Sequence, residues 1–151
     1  MAILIPVFTI YSIFDQLNQL QYPEVSMKTI YDTDEAPSPI GPYSQAVKIH
    51  GFLFTSGQIA LEPVTNVMIQ TSIEAETIQV MKNLEALLSA ADYNWDNVVK
   101  ATIYLKNMAD FPQVNEVYGS VFKQSYPARE TVQVAALPRG ANVEISLVAS
   151  K

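Results

Sequence analysis

The chain has 151 residues, nine Lys and Arg against fifteen Asp and Glu, a formal net charge of −6, and no cysteine. That length suits one domain with its own hydrophobic core, and without cysteine there is no disulfide, thiolate nucleophile or thiolate metal site. The single histidine, His50, excludes a multi-histidine metal centre, and the acidic balance with scattered basic residues argues against general affinity for nucleic acid or anionic membranes, though not against a local basic pocket.

The first 26 residues hold no lysine or arginine and open with an uncharged, mostly apolar run, Met1 to Phe14. The run is too short for a membrane-spanning helix and lacks the basic start and cleavage site of a secretory signal. Lys28 to Tyr31 is strand-like, and Asp32 to Pro42 is a polar loop broken by prolines. Two short strands, Ala46 to Ile49 and Phe52 to Ser56, flank His50-Gly51, which marks a hairpin turn and makes His50 an exposed turn residue rather than part of a catalytic triad. Leu61 to Gln70 reads as an irregular connection. Thr71 with Glu74 forms a capping-box signature, and Ile73, Thr77, Met81, Leu84 and Leu88 recur at helical spacing, which predicts a helix to about Ala91.

Val98 to Leu105, rich in branched residues, predicts a buried strand. Asp110 is placed to cap a second helix with Pro112 in its first turn and an apolar stripe of Phe111, Val114, Tyr118, Val121 and Phe122, whose aromatic members read as core. Two last strands, about Arg129 to Ala135 and Asn142 to Ala149, flank the turn Leu137-Pro138-Arg139-Gly140. This order predicts an α+β fold, a mixed β-sheet with two helices on one face. The opposite face, carrying residues such as Val132, Val134 or Val148, then calls for burial by another subunit.

Arg129 and Glu144 stand at corresponding places on the last two strands. Glu144 interrupts the alternation of Val143, Ile145 and Leu147, so it points away from the face they bury. An arginine holds a carboxylate with two parallel hydrogen bonds and keeps its proton, whereas a glutamate accepts one and returns it. The pair suits a small carboxylic acid undergoing proton-dependent chemistry; a salt bridge between neighbouring strands is the plainer alternative.

Five motifs occur in register: Gly41-Pro42-Tyr43-Ser44-Gln45-Ala46, Thr55-Ser56-Gly57-Gln58-Ile59, Asn97 to Lys106, Phe111 to Tyr118, and the segment from Pro127. In this order the chain from about Lys28 to Lys151 resembles the RidA (YjgF-type) family of reactive-intermediate enamine/imine deaminases. The resemblance implies a chorismate-mutase-like subunit in a cytoplasmic homotrimer, with the sheets forming a central barrel and the active sites lying between subunits. It places substrate-carboxylate binding on Arg129 and water activation with proton return on Glu144, and it lines the pocket with Tyr43, Ser56, Gly57, Asn115 and Thr131. The chemistry it implies needs no cofactor or metal, and its substrates are small imino and enamino acids of the 2-aminoacrylate and 2-iminopropanoate kind; the acidic composition adds the expectation of no nucleic-acid or membrane partner.

The chain departs from the family pattern at Thr131, often cysteine, and at Glu76 and Asp92, where glutamine and glycine are common. Family members commonly begin near the position of Met27, so residues 1–26 are either an extension from a mis-assigned start or a real apolar segment that docks on a neighbour or a membrane, and 27–151 is the RidA-like domain. A trimeric binding protein for 2-oxo acids or similar anions is the main competing function; a ribonuclease is disfavoured by the acidic composition and the lack of a histidine pair, and a chaperone-like surface would rest on the N-terminal run alone.

Overall fold

The computed structural model describes residues 27–123 and 125–151, so the expectations for residues 1–26 lie outside the described residues. Among the described residues, eight strands and α-helices follow one another: β1 (Thr29–Tyr31), β2 (Ala46–Ile49), β3 (Phe52–Thr55), α1 (Ile73–Ala90), β4 (Val98–Leu105), α2 (Phe111–Ser120), β5 (Ala128–Gln133) and β6 (Val143–Ser150). The strands form one sheet in the order β1-β2-β3-β6-β4-β5. Only β4 and β5 run parallel, because α2 provides the crossover that a parallel pair needs.

Strand alternation sorts the two faces. Leu53, Ala101, Ile103, Leu105, Val143, Ile145 and Leu147 point to one side and form a single core with Val80, Leu84 and Leu88 of α1 and Val114 and Tyr118 of α2. Both helices therefore cover the same face, as the sequence predicts. The other face leaves Phe52, Phe54 and Val132 exposed, with the two phenylalanine rings 6.4 Å apart. Val148 opposes Phe54 on that face and is half-buried, as is Val134 just beyond β5.

The β2–β3 turn is His50-Gly51 with φ of 49° and 76°, the two successive positive values of the hairpin turn that matches strand twist. A Cβ on Gly51 would lie 2.7 Å from the Lys151 carbonyl oxygen. His50 is an exposed turn residue, as expected.

Both helix starts differ from the sequence reading. The cap of α1 is Ser72, not Thr71: Ser72 is the last extended residue before the helix, and its Oγ accepts the Ala75 N–H at 3.1 Å. Glu74 and Glu76 then fall in the first turn, where the helix dipole favours negative charge. Asp110 makes no capping bond to α2, because a 3-10 turn, Met108–Asp110, runs directly into the helix. The cap has moved upstream to Asn107, whose Oδ1 accepts from the Ala109 N–H. At the other end of α1, Asp92 adopts φ 64°, which explains why glycine suits that place.

Glu76 has no exposed surface, and its carboxylate accepts the Asn142 N–H at 2.7 Å and the Asn142 side-chain amide at 2.9 Å. It thus ties α1 to the residues that lead into β6. A glutamine would keep the bond from the Asn142 N–H through its one oxygen and lose the second acceptor. Glu76→Ala would leave a part-buried N–H without its acceptor and is expected to lower unfolding free energy by about 1–3 kcal/mol, with Glu76→Gln losing less, as read from urea denaturation.

Candidate functional site

Glu144 sits opposite Tyr104 in the β4–β6 ladder, on the face that the helices leave uncovered. Arg129 is paired with the core residue Ala101 and reaches toward α2, on the helix side. The two are on opposite faces of the sheet, and β4 runs between their strands. A salt bridge between neighbouring strands is thereby ruled out within one chain.

Glu144 lines a hollow of about 640 Å³ together with Tyr43, Ser56 and Gly57. The rest of its wall is mostly apolar, with Pro37, Ile40, Ile59, Leu61 and Pro138. Burial alone raises the proton affinity of the Glu144 carboxyl above the ordinary carboxylate value. Gly57 leaves the room that Glu144 occupies: a Cβ there would come within 2.0 Å of Oε1 and 3.0 Å of Cγ. Gly57→Ala is therefore expected to fold but to displace the carboxylate, lowering turnover with little change in Tm; a large fall in Tm would locate the fault in the backbone instead.

Ser56 is held by the fold. Its hydroxyl donates to the Ser44 carbonyl at 2.7 Å and its N–H to the Gln45 carbonyl at 2.9 Å, so neither donor is left for a ligand. The neighbouring Gly57 N–H has no backbone acceptor among the described residues outside the regular ladders. Tyr43 is half exposed, and its hydroxyl receives only a long bond, 3.4 Å, from the Ile40 N–H.

The loop that forms this wall is organised by a residue that the sequence reading passed over. Gln45 is buried and accepts the Thr33 N–H at 2.7 Å while its amide donates toward the carbonyls of Thr33, Ala36 and Pro37. A glutamine within a motif beside a polar, proline-broken loop was the only available signal.

Arg129 and Asn115 form the second group. Phe111, Asn115 and Tyr118 recur at i, i+4 and i+7, so α2 presents them on one face beside β5. Asn115 Oδ1 accepts from the Arg129 guanidinium at 2.6 Å, and the guanidinium lies 5.4 Å from the Phe111 ring centre and 5.1 Å from that of Tyr118. One polar bond and two ring faces hold the arginine, leaving further N–H groups for an anion. Arg129 borders two hollows, one shared with Asn115, Tyr118 and Tyr126, the other with Phe111 and Thr131.

The buried hydroxyls of Tyr118 and Thr131 have no hydrogen-bond partner among the described residues. Burial pushes the Tyr118 phenol up to about 12, against the opposing pull of Arg129, so it remains a neutral donor at physiological pH. Of the expected site residues, then, Tyr43, Ser56, Gly57 and Glu144 come together around one hollow, and Asn115, Arg129 and Thr131 around the other two.

The sheet with its two helices on one face defines a chorismate-mutase-like α+β domain. The family profile described as Endoribonuclease L-PSP matches residues 33–151. A RutC family protein of Saccharolobus solfataricus is 48% identical over 125 residues, 83% of this chain and 99% of that protein. The 2-iminobutanoate/2-iminopropanoate deaminase of Mus musculus is 44% identical over 123 residues, 82% of this chain and 91% of its own. A crystal structure of a putative endoribonuclease from Thermotoga maritima superposes with a TM-score of 0.81 at 45% identity, covering 83% of this chain and 98% of that one. The chain belongs to the RidA (YjgF-type) family.

Proposed function

We propose that this protein is a cofactor-independent enamine/imine deaminase that hydrolyses intermediates of the 2-aminoacrylate and 2-iminopropanoate type to 2-oxo acids and ammonia. The observation that carries the reading is an arginine held by one hydrogen bond and two rings with N–H groups to spare, and a half-buried glutamate lining a hollow, in a chain 44% identical to a deaminase of that name. Because Arg129 and Glu144 lie on opposite faces of the sheet, the active site is completed by a second copy of the chain. The exposed Phe52, Phe54 and Val132 on the uncovered face fit burial against such copies, in the homotrimer with a central barrel that the family resemblance implies.

The chemistry needs positioning and proton transfer only. Arg129 binds the substrate carboxylate, and an enamine first gains a proton at its terminal carbon to become the imine. Glu144 takes a proton from water as the oxygen bonds to the imine carbon, while the C=N π electrons move to nitrogen, which is protonated. The resulting carbinolamine collapses: its amino nitrogen takes a second proton, returned by Glu144, the hydroxyl loses its own proton as the C=O bond forms, and the C–N bond breaks to release ammonia and a 2-oxo acid. The Gly57 N–H and Tyr43 orient the reacting groups in this reading, which their lining of the same hollow as Glu144 supports. Thr131, with its unpartnered hydroxyl, stands where it can donate to the bound carboxylate from the Arg129 side.

The test generates 2-iminopropanoate in situ with an amino-acid oxidase and follows its disappearance by semicarbazone trapping. Accelerated loss with this protein supports the deaminase; no acceleration by the folded protein on several imino acids would leave a non-catalytic binder of 2-oxo acids.

A further inference from the structure

The Glu144 hollow contains a cationic side chain that the reaction above does not use. Arg139 lies on its rim, in the turn between β5 and β6, and is the only lysine or arginine among the lining residues. Its backbone is in the left-handed region, φ 55°, and is followed by Gly140 at φ 73°. An arginine at such a position is disfavoured relative to glycine or asparagine, so the backbone itself does not call for this side chain.

The turn itself is anchored. Gln70 donates to the Gly140 carbonyl at 2.9 Å, and the turn closes on itself through the Ala141 N–H and the Pro138 carbonyl. The guanidinium is not: among the described residues its one hydrogen bond is a 3.5 Å approach to the Asn66 carbonyl, at the limit of such a bond, and it takes part in no salt bridge there. A fixed Cα with a lightly tethered cation is a side chain ready to change partners. The hollow that Arg139 shares with Glu144 is also lined by the apolar Pro37, Ile40, Ile59, Leu61 and Pro138, and it far exceeds what a three-carbon imino acid fills.

We infer that Arg139 recognises a second carboxylate at the far end of the substrate, and that this site therefore accepts 2-imino dicarboxylic acids such as 2-iminosuccinate and 2-iminoglutarate. The inference rests on the deaminase reading and deepens it. Arg129 holds the carboxylate next to the imine carbon, the substrate chain crosses the apolar wall, and the distal carboxylate replaces the Asn66 carbonyl as the partner of Arg139. A charge-assisted, two-pronged bond of this kind corresponds to a preference of about ten-fold to a hundred-fold.

The experiment compares kcat/KM for 2-iminoglutarate and 2-iminopropanoate, both generated in situ, in wild type, R139K and R139Q, alongside calorimetric binding of 2-oxoglutarate and 2-oxobutanoate. Expected is a dicarboxylate-to-monocarboxylate ratio that falls about ten-fold or more in R139Q and partly recovers in R139K, with the same order in the binding ratio. An unchanged ratio in R139Q overturns the role of Arg139 even when wild type is active on 2-iminopropanoate. Absence of turnover on every imine counts against the deaminase, and the binding ratio then still decides whether Arg139 reads the second acid.

Discussion

Glu144→Gln is expected to lower kcat for imine hydrolysis by about 10²–10⁴-fold while leaving the fold intact, because the amide keeps the size of the carboxyl but cannot take a proton from water. In the wild-type protein the same residue should set the acid limb of the rate profile. Burial raises its proton affinity, so the active, deprotonated form appears at a pH above the ordinary carboxylate value of 4.5. The rate should rise through that shifted pKa and lose this dependence in Glu144→Gln.

Stability should move the opposite way. The native state holds the Glu144 proton more tightly than the unfolded chain does, so the penalty for charging it is absent at low pH, grows through the window between the unfolded and folded pKa, and is complete above the folded one. Glu144→Gln should therefore raise Tm slightly at neutral pH and not at low pH. A rate unaffected by the substitution would remove Glu144 from the chemistry, and a rate lost together with a falling Tm would point to misfolding.

The faces of the sheet were legible in the sequence because alternation is a local property. Val143, Ile145 and Leu147 declare one face of β6 buried, and Glu144 must then lie on the other. What could not be read was the position of Arg129 relative to it. That depends on β4 inserting between β5 and β6, a long-range pairing on which periodicity is silent.

The helix caps failed for a related reason. Thr71 and Ser72 are both competent caps, and only the backbone entering α1 chooses between them. Asp110 lost its role to a 3-10 turn of three residues, too short to carry a pattern. Phe111 and Tyr118 were read as core, which is correct for Tyr118 at 2% exposure, but the same ring also faces the Arg129 guanidinium. A stripe at helical spacing says which side of α2 is covered, and not what lies at its end.

Arg129→Ala is expected to reduce kcat/KM by at least about ten-fold to a hundred-fold, since the substrate carboxylate loses a charge-assisted bidentate partner. Arg129→Lys should recover little, because a point charge reproduces neither the fork nor its seat between the Phe111 and Tyr118 rings. Arg129 is exposed at the edge of the sheet in the single chain, so the substitution should leave the subunit folded. The stronger test uses the opposite-face geometry. If each active site takes Arg129 from one copy and Glu144 from another, Arg129→Ala and Glu144→Ala chains are each inactive alone but complement each other when unfolded and reassembled together. In a random one-to-one mixture each interface has even odds of an intact arginine and even odds of an intact glutamate, so about a quarter of wild-type activity should return in any closed ring of copies. If both residues of a site came from the same copy, no mixture would contain an intact site, and the activity would stay at the level of the single variants.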